Sequence, residues 1–137
     1  MTTFRIRQAA ELLGVSDDTV RRWIDSGRLP VGTDENGRRA VDGEALAEFA
    51  RGLAAATPRS RPELIVAESA RNRFTGLVTR VVRDTVMAQV EIQAGPFRVV
   101  SLMSREAADD LDLRPGVLAV ASVKSTNVVV EIPQPER

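Results

Sequence analysis

The sequence predicts an α+β protein of two small domains, the first helical and the second made of β-strands. The apolar residues of positions 4–53 fall at helical spacing, whereas from position 74 onward they cluster in valine-rich runs typical of strands. Between the two patterns, Pro58 and Pro62 stand among arginines in a stretch that favours an extended, solvated connection. We therefore expect a first domain at residues 1–56, a linker at 57–66 and a second domain at 67–137.

The first domain opens with a helix-turn-helix pattern. The helix expected at residues 7–13 turns one apolar face inward, formed by Ala9, Ala10, Leu12 and Leu13. Gly14 breaks this helix, and Ser16 is the expected N-cap of a second helix that stops near Gly27. The second helix is expected to bury Val20, Trp23 and Ile24.

The outward face of the second helix carries side chains suited to a DNA major groove. Thr19, Arg21 and Arg22 lie opposite the buried face, with Ser16 at the start of the helix. Arg binds guanine edges or neutralises phosphates, and Thr contacts thymine methyl groups. These four residues are therefore candidate contacts to double-stranded DNA, and the alternative is an ordinary solvated face.

A β-hairpin and a third helix complete the first domain. The Asn36-Gly37 pair is a strong hairpin signal and predicts a two-stranded wing. The returning strand of the wing carries the remaining candidate DNA contacts, Arg38 and Arg39. Asp42 is the expected N-cap of a third helix, whose apolar residues close the core around Trp23.

A long motif in this domain resembles a known DNA-binding family. Residues 9–16 read Ala-Ala-Glu-Leu-Leu-Gly-Val-Ser, and residues 19–30 read Thr-Val-Arg-Arg-Trp-Ile-Asp-Ser-Gly-Arg-Leu-Pro. With the Gly37-Arg38-Arg39 wing, they resemble the MerR and excisionase-type winged helix-turn-helix domain over residues 4–53. The resemblance implies that the second helix enters the major groove and that the wing contacts the DNA backbone or minor groove.

The second domain is predicted to be a small OB-like β-barrel. Five β-branched runs predict strands at residues 74–82, 85–92, 97–103, 117–123 and 128–132. Ser104 is the expected cap of a short helix after the third strand, with Ala107, Ala108 and Leu111 facing inward. Five short strands and one helix are typical of the OB architecture. The thin, aromatic-poor core indicates that partner subunits cover some of the valine surface.

Composition limits the chemistry of both domains. The 137 residues include no Cys and no His, which excludes disulfides, zinc fingers, histidine-metal sites and Ser-His or Cys-His nucleophile pairs. The 19 basic and 19 acidic residues cancel, so net charge indicates no partner, and Lys124 is the only lysine. Without a signal peptide or a long apolar run, we expect a cytoplasmic protein with no membrane contact, and we expect no enzyme activity.

Three polar stretches in the second domain offer hydrogen-bond donors and no carboxylate. They are Ser69-Ala70-Arg71-Asn72, Ser101-Leu102-Met103-Ser104 and Lys124-Ser125-Thr126-Asn127. Hydroxyl, guanidinium and ammonium groups stabilise a compact oxyanion by charge-assisted hydrogen bonds. A bare metal cation would require carboxylates instead, so we expect a metal here only as part of an oxyanion.

These stretches resemble the Mop or TOBE domain of molybdate-binding proteins over residues 67–132. Leu113-Arg114-Pro115-Gly116 belongs to the same pattern, and family members often carry Thr where Ser101 stands. The resemblance implies that molybdate or tungstate binds between subunits, with the first and last stretches of one protomer facing the third-strand hydroxyls of another. The candidate oxyanion-binding residues are Ser69, Arg71, Asn72, Ser101, Ser104, Lys124 and Ser125. The alternative is that Ser69 and Ser104 cap turns and that Lys124 is solvated.

The two resemblances together indicate a molybdate- or tungstate-responsive transcriptional regulator that assembles through its β-domain as a dimer or hexamer. One alternative is a molybdate or tungstate storage oligomer whose first domain serves assembly or tethering. The first domain leaves room for that function, because residues 1–57 hold 8 basic and 9 acidic side chains. Another alternative is an excisionase-like architectural DNA protein that is indifferent to molybdate.

Overall fold

The chain divides into two units, Met1–Pro62 and Glu63–Arg137. The computed structural model describes residues 2–56 and 70–134. Within these ranges the first unit is mainly helical and the second is an antiparallel sheet with one short helix, which confirms the predicted α+β class. The predicted linker at 57–66 lies outside the described residues, so the three domain bounds stay a prediction. None of the helices in the described ranges has the length and apolarity needed to span a bilayer.

Three helices form most of the first unit: α1 (Ile6–Leu13), α2 (Asp17–Asp25) and α3 (Gly43–Ala56). Gly14 ends α1 in the left-handed conformation, with φ of 70°, as its lack of a Cβ atom allows. The predicted caps are confirmed, because the Ser16 hydroxyl accepts from the Thr19 amide and the Asp42 carboxylate accepts from the Ala45 amide.

A small sheet supports the wing. It contains β1 (Thr3–Phe4), β2 (Gly32–Thr33) and β3 (Arg39–Asp42) in the order β1-β3-β2. The β2-β3 hairpin is the predicted two-stranded wing, and Gly37 takes a positive φ of 75° at its turn. The sequence pattern did not predict β1, which is too short to show an alternating pattern.

The core of the first unit lies between α1, α2, α3 and β3. Val20, Ile24, Leu46 and other small or branched residues are buried there, and the Trp23 and Phe49 rings pack 5.1 Å apart. The expectation that Leu12 faces inward was wrong, since its side chain is exposed. The inward stripe of α1 consists of Ile6, Ala9, Ala10 and Leu13, and this helical spacing leaves Leu12 on the flank.

The second unit is a curled four-stranded antiparallel sheet with the strand order β6-β5-β4-β7. Its strands are β4 (Asn72–Arg83), β5 (Met87–Ala94), β6 (Phe97–Ser104) and β7 (Leu118–Val123). The helix α4 (Arg105–Asp110) follows β6, and a single 3₁₀ turn (Ser125–Asn127) follows β7. Val78, Val90, Ile92, Ala108 and Leu113 are among the residues that form the core.

The strand β4 changes partner along its length, which gives the sheet its curl. Its first half pairs with β7 and its second half with β5, and Leu77 is paired on both sides. At Gly76 the backbone of β5 comes so close that a Cβ atom would lie 2.2 Å from the Gln93 carbonyl oxygen. Only glycine fits this approach without a backbone shift.

Two details of the predicted second unit were wrong. Leu111 is exposed, because the chain turns through Asp112, with φ of 51°, and buries Leu113 in its place. Residues 85 and 86 do not begin the second strand, because the Asp84 carboxylate binds the amides of Val86 and Met87 in a turn.

The predicted fifth strand, residues 128–132, is also not formed in the described chain. This segment continues from the 3₁₀ turn without a strand partner. Val128 is 46% exposed, and Val129, Val130 and Ile132 are 80% to 87% exposed. A strand requires a hydrogen-bonded neighbour, and residues 2–56 and 70–134 supply none for this apolar segment.

Candidate functional site

The outward face of α2 holds a connected row of polar side chains. The Ser16 and Thr19 hydroxyl oxygens lie 2.9 Å apart, and Nη2 of Arg22 donates to the Thr19 hydroxyl at 3.2 Å. Ser16 and Arg22 are exposed and Thr19 is partly exposed, whereas Val20 and Ile24 of the same helix are buried. This row brings together three of the four candidate DNA contacts that the sequence predicts on this helix.

Arg21, the fourth residue, is held by a carboxylate. Its Nη1 atom donates to Oδ1 of Asp18 at 3.1 Å, one helical turn earlier. Arg21 and Arg22 are both exposed, so the guanidinium donors not used by Asp18 or Thr19 are accessible to acceptors such as guanine edges or phosphates. Sequence reasoning assigned no DNA-facing role to Asp18, although the spacing of three residues is typical of an ion pair on a helix.

The wing presents Arg38 and Arg39 beside an ordered turn. The Asp34 carboxylate accepts hydrogen bonds from the amides of Arg38 and Asn36, both at 2.9 Å. The Arg38 amide is the main cause that lowers the pKa of Asp34, and the positive charge of Arg5 acts in the same direction. Arg38 and Arg39 are both exposed, so their charges are available to a ligand, while Asp34 fixes the loop that carries them.

In the second unit, pairing between the first and last strands brings two of the predicted donor stretches together. Asn72 and Val123 are register partners, and the Asn72 side-chain amide donates to the Val123 carbonyl at 3.2 Å. Arg71 precedes this pair on one strand and Lys124 follows it on the other. Because the strands are antiparallel, the Arg71 and Lys124 positions are neighbours, and Ser125 comes next.

Asn72 therefore has a positioning contact that sequence reasoning did not foresee. One of its amide hydrogens ties the opening stretch to the closing one, and the other remains available. Arg71, Lys124 and Ser125 are exposed at this junction. We call Arg71, Asn72, Lys124 and Ser125 the first half-site. The remaining predicted member, Ser69, lies outside the described residues.

Ser101 and Ser104 lie elsewhere in the sheet. Both belong to β6, which is the edge strand opposite β7, with β5 and β4 between them. Ser101 pairs with Val90, and Val90 pairs with Val81, which lies in the half of β4 far from Asn72. The single chain therefore does not bring these two serines to the first half-site. We call Ser101 and Ser104 the second half-site.

The two serines of the second half-site differ in their surroundings. Ser104 is exposed and caps α4, since its hydroxyl oxygen accepts from the Ala107 amide at 3.1 Å. Ser101 is partly buried and lies on the same face of β6 as Val99 and Met103, which pack against the core. The cap leaves the Ser104 hydroxyl hydrogen free to donate to a ligand, because a hydroxyl can accept and donate at once.

Comparisons with known proteins agree with the two units. A family model described as TOBE domain matches residues 68–130, and a second model described as helix-turn-helix domain matches residues 3–54. Molybdenum-pterin-binding protein 3 of Clostridium pasteurianum is 36% identical over 63 residues, which cover 45% of this chain and 93% of that protein. The chain belongs to the TOBE domain family. Its TOBE unit follows a helix-turn-helix unit, which confirms the predicted fusion.

Two other proteins resemble the TOBE unit. The molybdenum transport protein ModE of Herbaspirillum seropedicae is 40% identical over 63 residues, which cover 45% of this chain and 23% of that protein. This chain thus matches less than a quarter of the length of ModE. A molybdate-binding protein from Sporomusa ovata of known structure is 31% identical and matches 49% of this chain and 100% of its own, with a TM-score of 0.47.

Proposed function

We propose that this protein is a DNA-binding transcriptional regulator that responds to molybdate or tungstate. The observation that carries the proposal is the joining, in one chain, of an arginine-bearing recognition helix and a TOBE unit whose exposed polar stretches are donors without carboxylates. The relatives of the TOBE unit are named for molybdenum or molybdate. The helix-turn-helix unit supplies the surface through which ligand binding would act on DNA.

On the DNA side, the geometry of α2 favours insertion into a major groove. Arg21 and Arg22 are exposed on it and Thr19 is partly exposed, and the wing adds Arg38 and Arg39. Residues 1–57 carry 8 basic and 9 acidic side chains, so attraction to any duplex is weak. Binding must then depend on local contacts to base edges and a few phosphates, which is the requirement for an operator-specific protein.

On the ligand side, the chemistry of the donors suits a tetrahedral dianion. The first half-site combines a guanidinium, an ammonium, an amide and a hydroxyl, and the second half-site adds two hydroxyls. Hydrogen bonds from charged donors to an oxyanion are roughly twice as strong as those between neutral groups. Within the described residues, no cluster of acidic side chains has the arrangement that a metal cation needs. We propose that the oxyanion binds both half-sites.

The separation of the half-sites supports binding between two copies of the chain. Residues 128–132 begin three residues after Ser125 of the first half-site and expose an apolar strand sequence that has no strand partner among the described residues. The outer edge of β6, which carries the second half-site, is also unpaired in the described sheet. We propose that residues 128–132 of one copy pair with β6 of another, which brings Lys124 and Ser125 to the partner's second half-site. The copies can then form a homo-oligomer around the oxyanion.

Regulation follows if the ligand binds one arrangement of the copies more tightly than another. A ligand that binds all arrangements equally shifts none of them. An oxyanion shared by two copies has this selectivity, because it requires both half-sites at once. The arrangement it favours sets the distance between the paired recognition helices, and therefore the fit to two half-sites of an operator.

The test is operator binding with and without micromolar molybdate, tungstate or sulfate. The full chain is first used to select duplexes from a random pool, and affinity and stoichiometry for the selected duplex are then measured across each titration. We expect molybdate or tungstate, but not sulfate, to change the affinity. Unchanged affinity and stoichiometry would contradict the regulatory function.

One further candidate function is oxyanion storage or buffering. The Clostridium relative supports it, because the matched segment covers 93% of that protein and leaves little room for another domain. Storage predicts molybdate binding by the full chain and no enrichment of any sequence in the duplex selection. Enrichment of one sequence would reject storage as the whole function.

A further inference from the structure

The carboxylate of Asp18 lies on the DNA-facing side of α2 and binds one of its two arginines. Its Oδ1 atom accepts a hydrogen bond from Arg21 at 3.1 Å, whereas Arg22 donates to the neutral hydroxyl of Thr19. The Asp18 side chain is 89% exposed and the Arg21 side chain is 50% exposed. Both members of the pair are therefore open to whatever approaches this face of the helix.

Stabilisation of the fold does not explain why Asp18 pairs with Arg21. An exposed ion pair on a helix adds little to stability. Asp17 also places negative charge in the first turn of α2, so the favourable interaction with the helix dipole does not depend on Asp18 alone. The property that distinguishes Asp18 from Asp17 is its hydrogen bond to a guanidinium of the recognition surface.

The chemistry of the pair favours a base edge over a phosphate. A guanidinium has five N–H donors in a rigid plane, so Arg21 can bind Asp18 with one of them and still present two to O6 and N7 of a guanine. The cytosine opposite that guanine offers an amino group, which a carboxylate accepts. A phosphate near Arg21 would instead be repelled by the charge of Asp18.

We propose that Asp18 is a positioning residue of the DNA-reading surface. It holds the Arg21 guanidinium for a guanine edge and disfavours the use of Arg21 as a phosphate contact. Asp18 thereby sets the ratio of specific to non-specific DNA binding. This inference rests on the proposed DNA-binding function and adds to it the residue that controls selectivity.

The test compares Asp18→Asn with Asp25→Asn in the full chain. Asp25 lies at the other end of α2 and has no ion pair or side-chain hydrogen bond in the described residues, so its replacement makes the same change of charge without freeing Arg21. Affinities for the selected duplex and a scrambled one are measured over a salt series. For Asp18→Asn we expect the specificity ratio to fall roughly tenfold, with guanine preference relaxed at one position. The slope of binding against salt on the scrambled duplex steepens by about 1.

Three comparisons decide the outcome. Asp25→Asn should keep the specificity ratio of the natural protein, and Asp18→Glu should restore most of it. In an Arg21→Ala background, Asp18→Asn should have no further effect on the ratio, because the residue on which it acts is gone. Equal ratios for Asp18→Asn and Asp25→Asn would reject the positioning role while leaving DNA binding intact. Failure of the natural protein to select any sequence would reject the proposed function and this inference together.

Discussion

In the first unit, the candidate DNA contacts lie on one helix and one hairpin of a single chain, whereas in the second unit the candidate oxyanion donors are divided between opposite edges of a sheet. Ser16, Thr19 and Arg22 already form a connected row in the free chain. The Lys124 and Ser101 positions lie on edge strands separated by β4 and β5. The candidate DNA surface is therefore contained in one copy, whereas the oxyanion site that we propose needs a second copy to join its two half-sites.

This difference shows where regulation can enter. Under the proposed function, a reading surface that is complete in one chain makes its own base contacts, so the ligand can act on DNA binding only through the arrangement of the copies. A site that two chains must complete couples ligand binding to assembly by mass action. In the proposed function, the same sequence thus combines a preformed reading surface with a ligand site that depends on the number and arrangement of copies.

The largest expected effect comes from polar substitution in the apolar segment after the first half-site. In a paired strand, Val130 and Ile132 share one face. Burial of each side chain stabilises by about 1.5–3 kcal/mol, so Val130→Asp with Ile132→Asp should weaken assembly by at least about 100-fold. Molybdate binding should be lost with it. Light scattering and titration calorimetry on the full chain measure both effects.

Two controls test whether the loss of assembly comes from the paired face of residues 128–132 in the second unit. Val129→Asp places the same charge on the other face, beside Glu131, and should weaken assembly less. The melting transition of the first unit should not change in either variant. Normal assembly of the Val130→Asp, Ile132→Asp protein would show that residues 128–132 do not join the copies.

The next effect in size concerns the recognition helix. Arg21→Ala with Arg22→Ala removes two base or phosphate contacts, each worth about 1–3 kcal/mol when bidentate to guanine. We expect affinity for the selected duplex to fall by about 2–6 kcal/mol in free energy, measured by fluorescence anisotropy. Oxyanion affinity should stay unchanged, since the two surfaces belong to separate units. Loss of both activities would contradict the independence of the reading surface.

A smaller loss is expected from Lys124→Ala. The substitution removes one charged donor, and hydrogen bonds to charged groups contribute about 1.5–3 kcal/mol. Molybdate affinity should therefore fall by roughly 10- to 150-fold in calorimetry. Arg114→Ala is the matched control, because Arg114 is an exposed cation paired with Asp112 outside both half-sites. Normal molybdate binding by Lys124→Ala would show that the first half-site is misassigned.

Elements with strong local signals could be predicted from the sequence. Ser16, Asp42 and Ser104 all cap helices as their positions indicate, because an N-cap is a contact between residues three apart. The Asn36-Gly37 turn is equally local. For the same reason the row of polar side chains on α2 could be derived from helical spacing alone.

The features that the sequence did not predict correctly depend on contacts between residues far apart in the chain. Residues 128–132 have the composition of a strand, but composition does not show that the described part of the chain offers them no neighbouring strand. The separation of Ser101 from Lys124 also depends on strand order, which the sequence pattern does not encode. Leu111 is exposed because a left-handed residue at Asp112 redirects the chain, and such a residue is unusual outside glycine.

The smallest expected effects concern two turns, one in each unit, in which an aspartate carboxylate binds two backbone amides. Asp84 accepts hydrogen bonds from the amides of Met87 and Val86, as Asp34 does from those of Arg38 and Asn36. These amides lower the pKa of each carboxyl below the ordinary value of an aspartate. A lowered pKa in the folded state means that the carboxylate stabilises the fold above about pH 5, and that this contribution is lost as pH falls through the folded pKa.

Asp84→Asn should therefore lower the melting temperature of the second unit at neutral pH, and Asp34→Asn that of the first. The difference in melting temperature from the natural protein should narrow in both cases as pH falls below about 4, and it should vanish only below the folded pKa, where both proteins carry a neutral group at this position. Asp110→Asn is the control for the second unit, because Asp110 is exposed and has no side-chain hydrogen bond or ion pair in the described residues. A difference in melting temperature that stays constant from neutral to acidic pH would mean that geometry, and not charge, stabilises these turns. If the melting-temperature difference narrowed for only one of the two variants, the charge of the aspartate would stabilise the turn in that unit only.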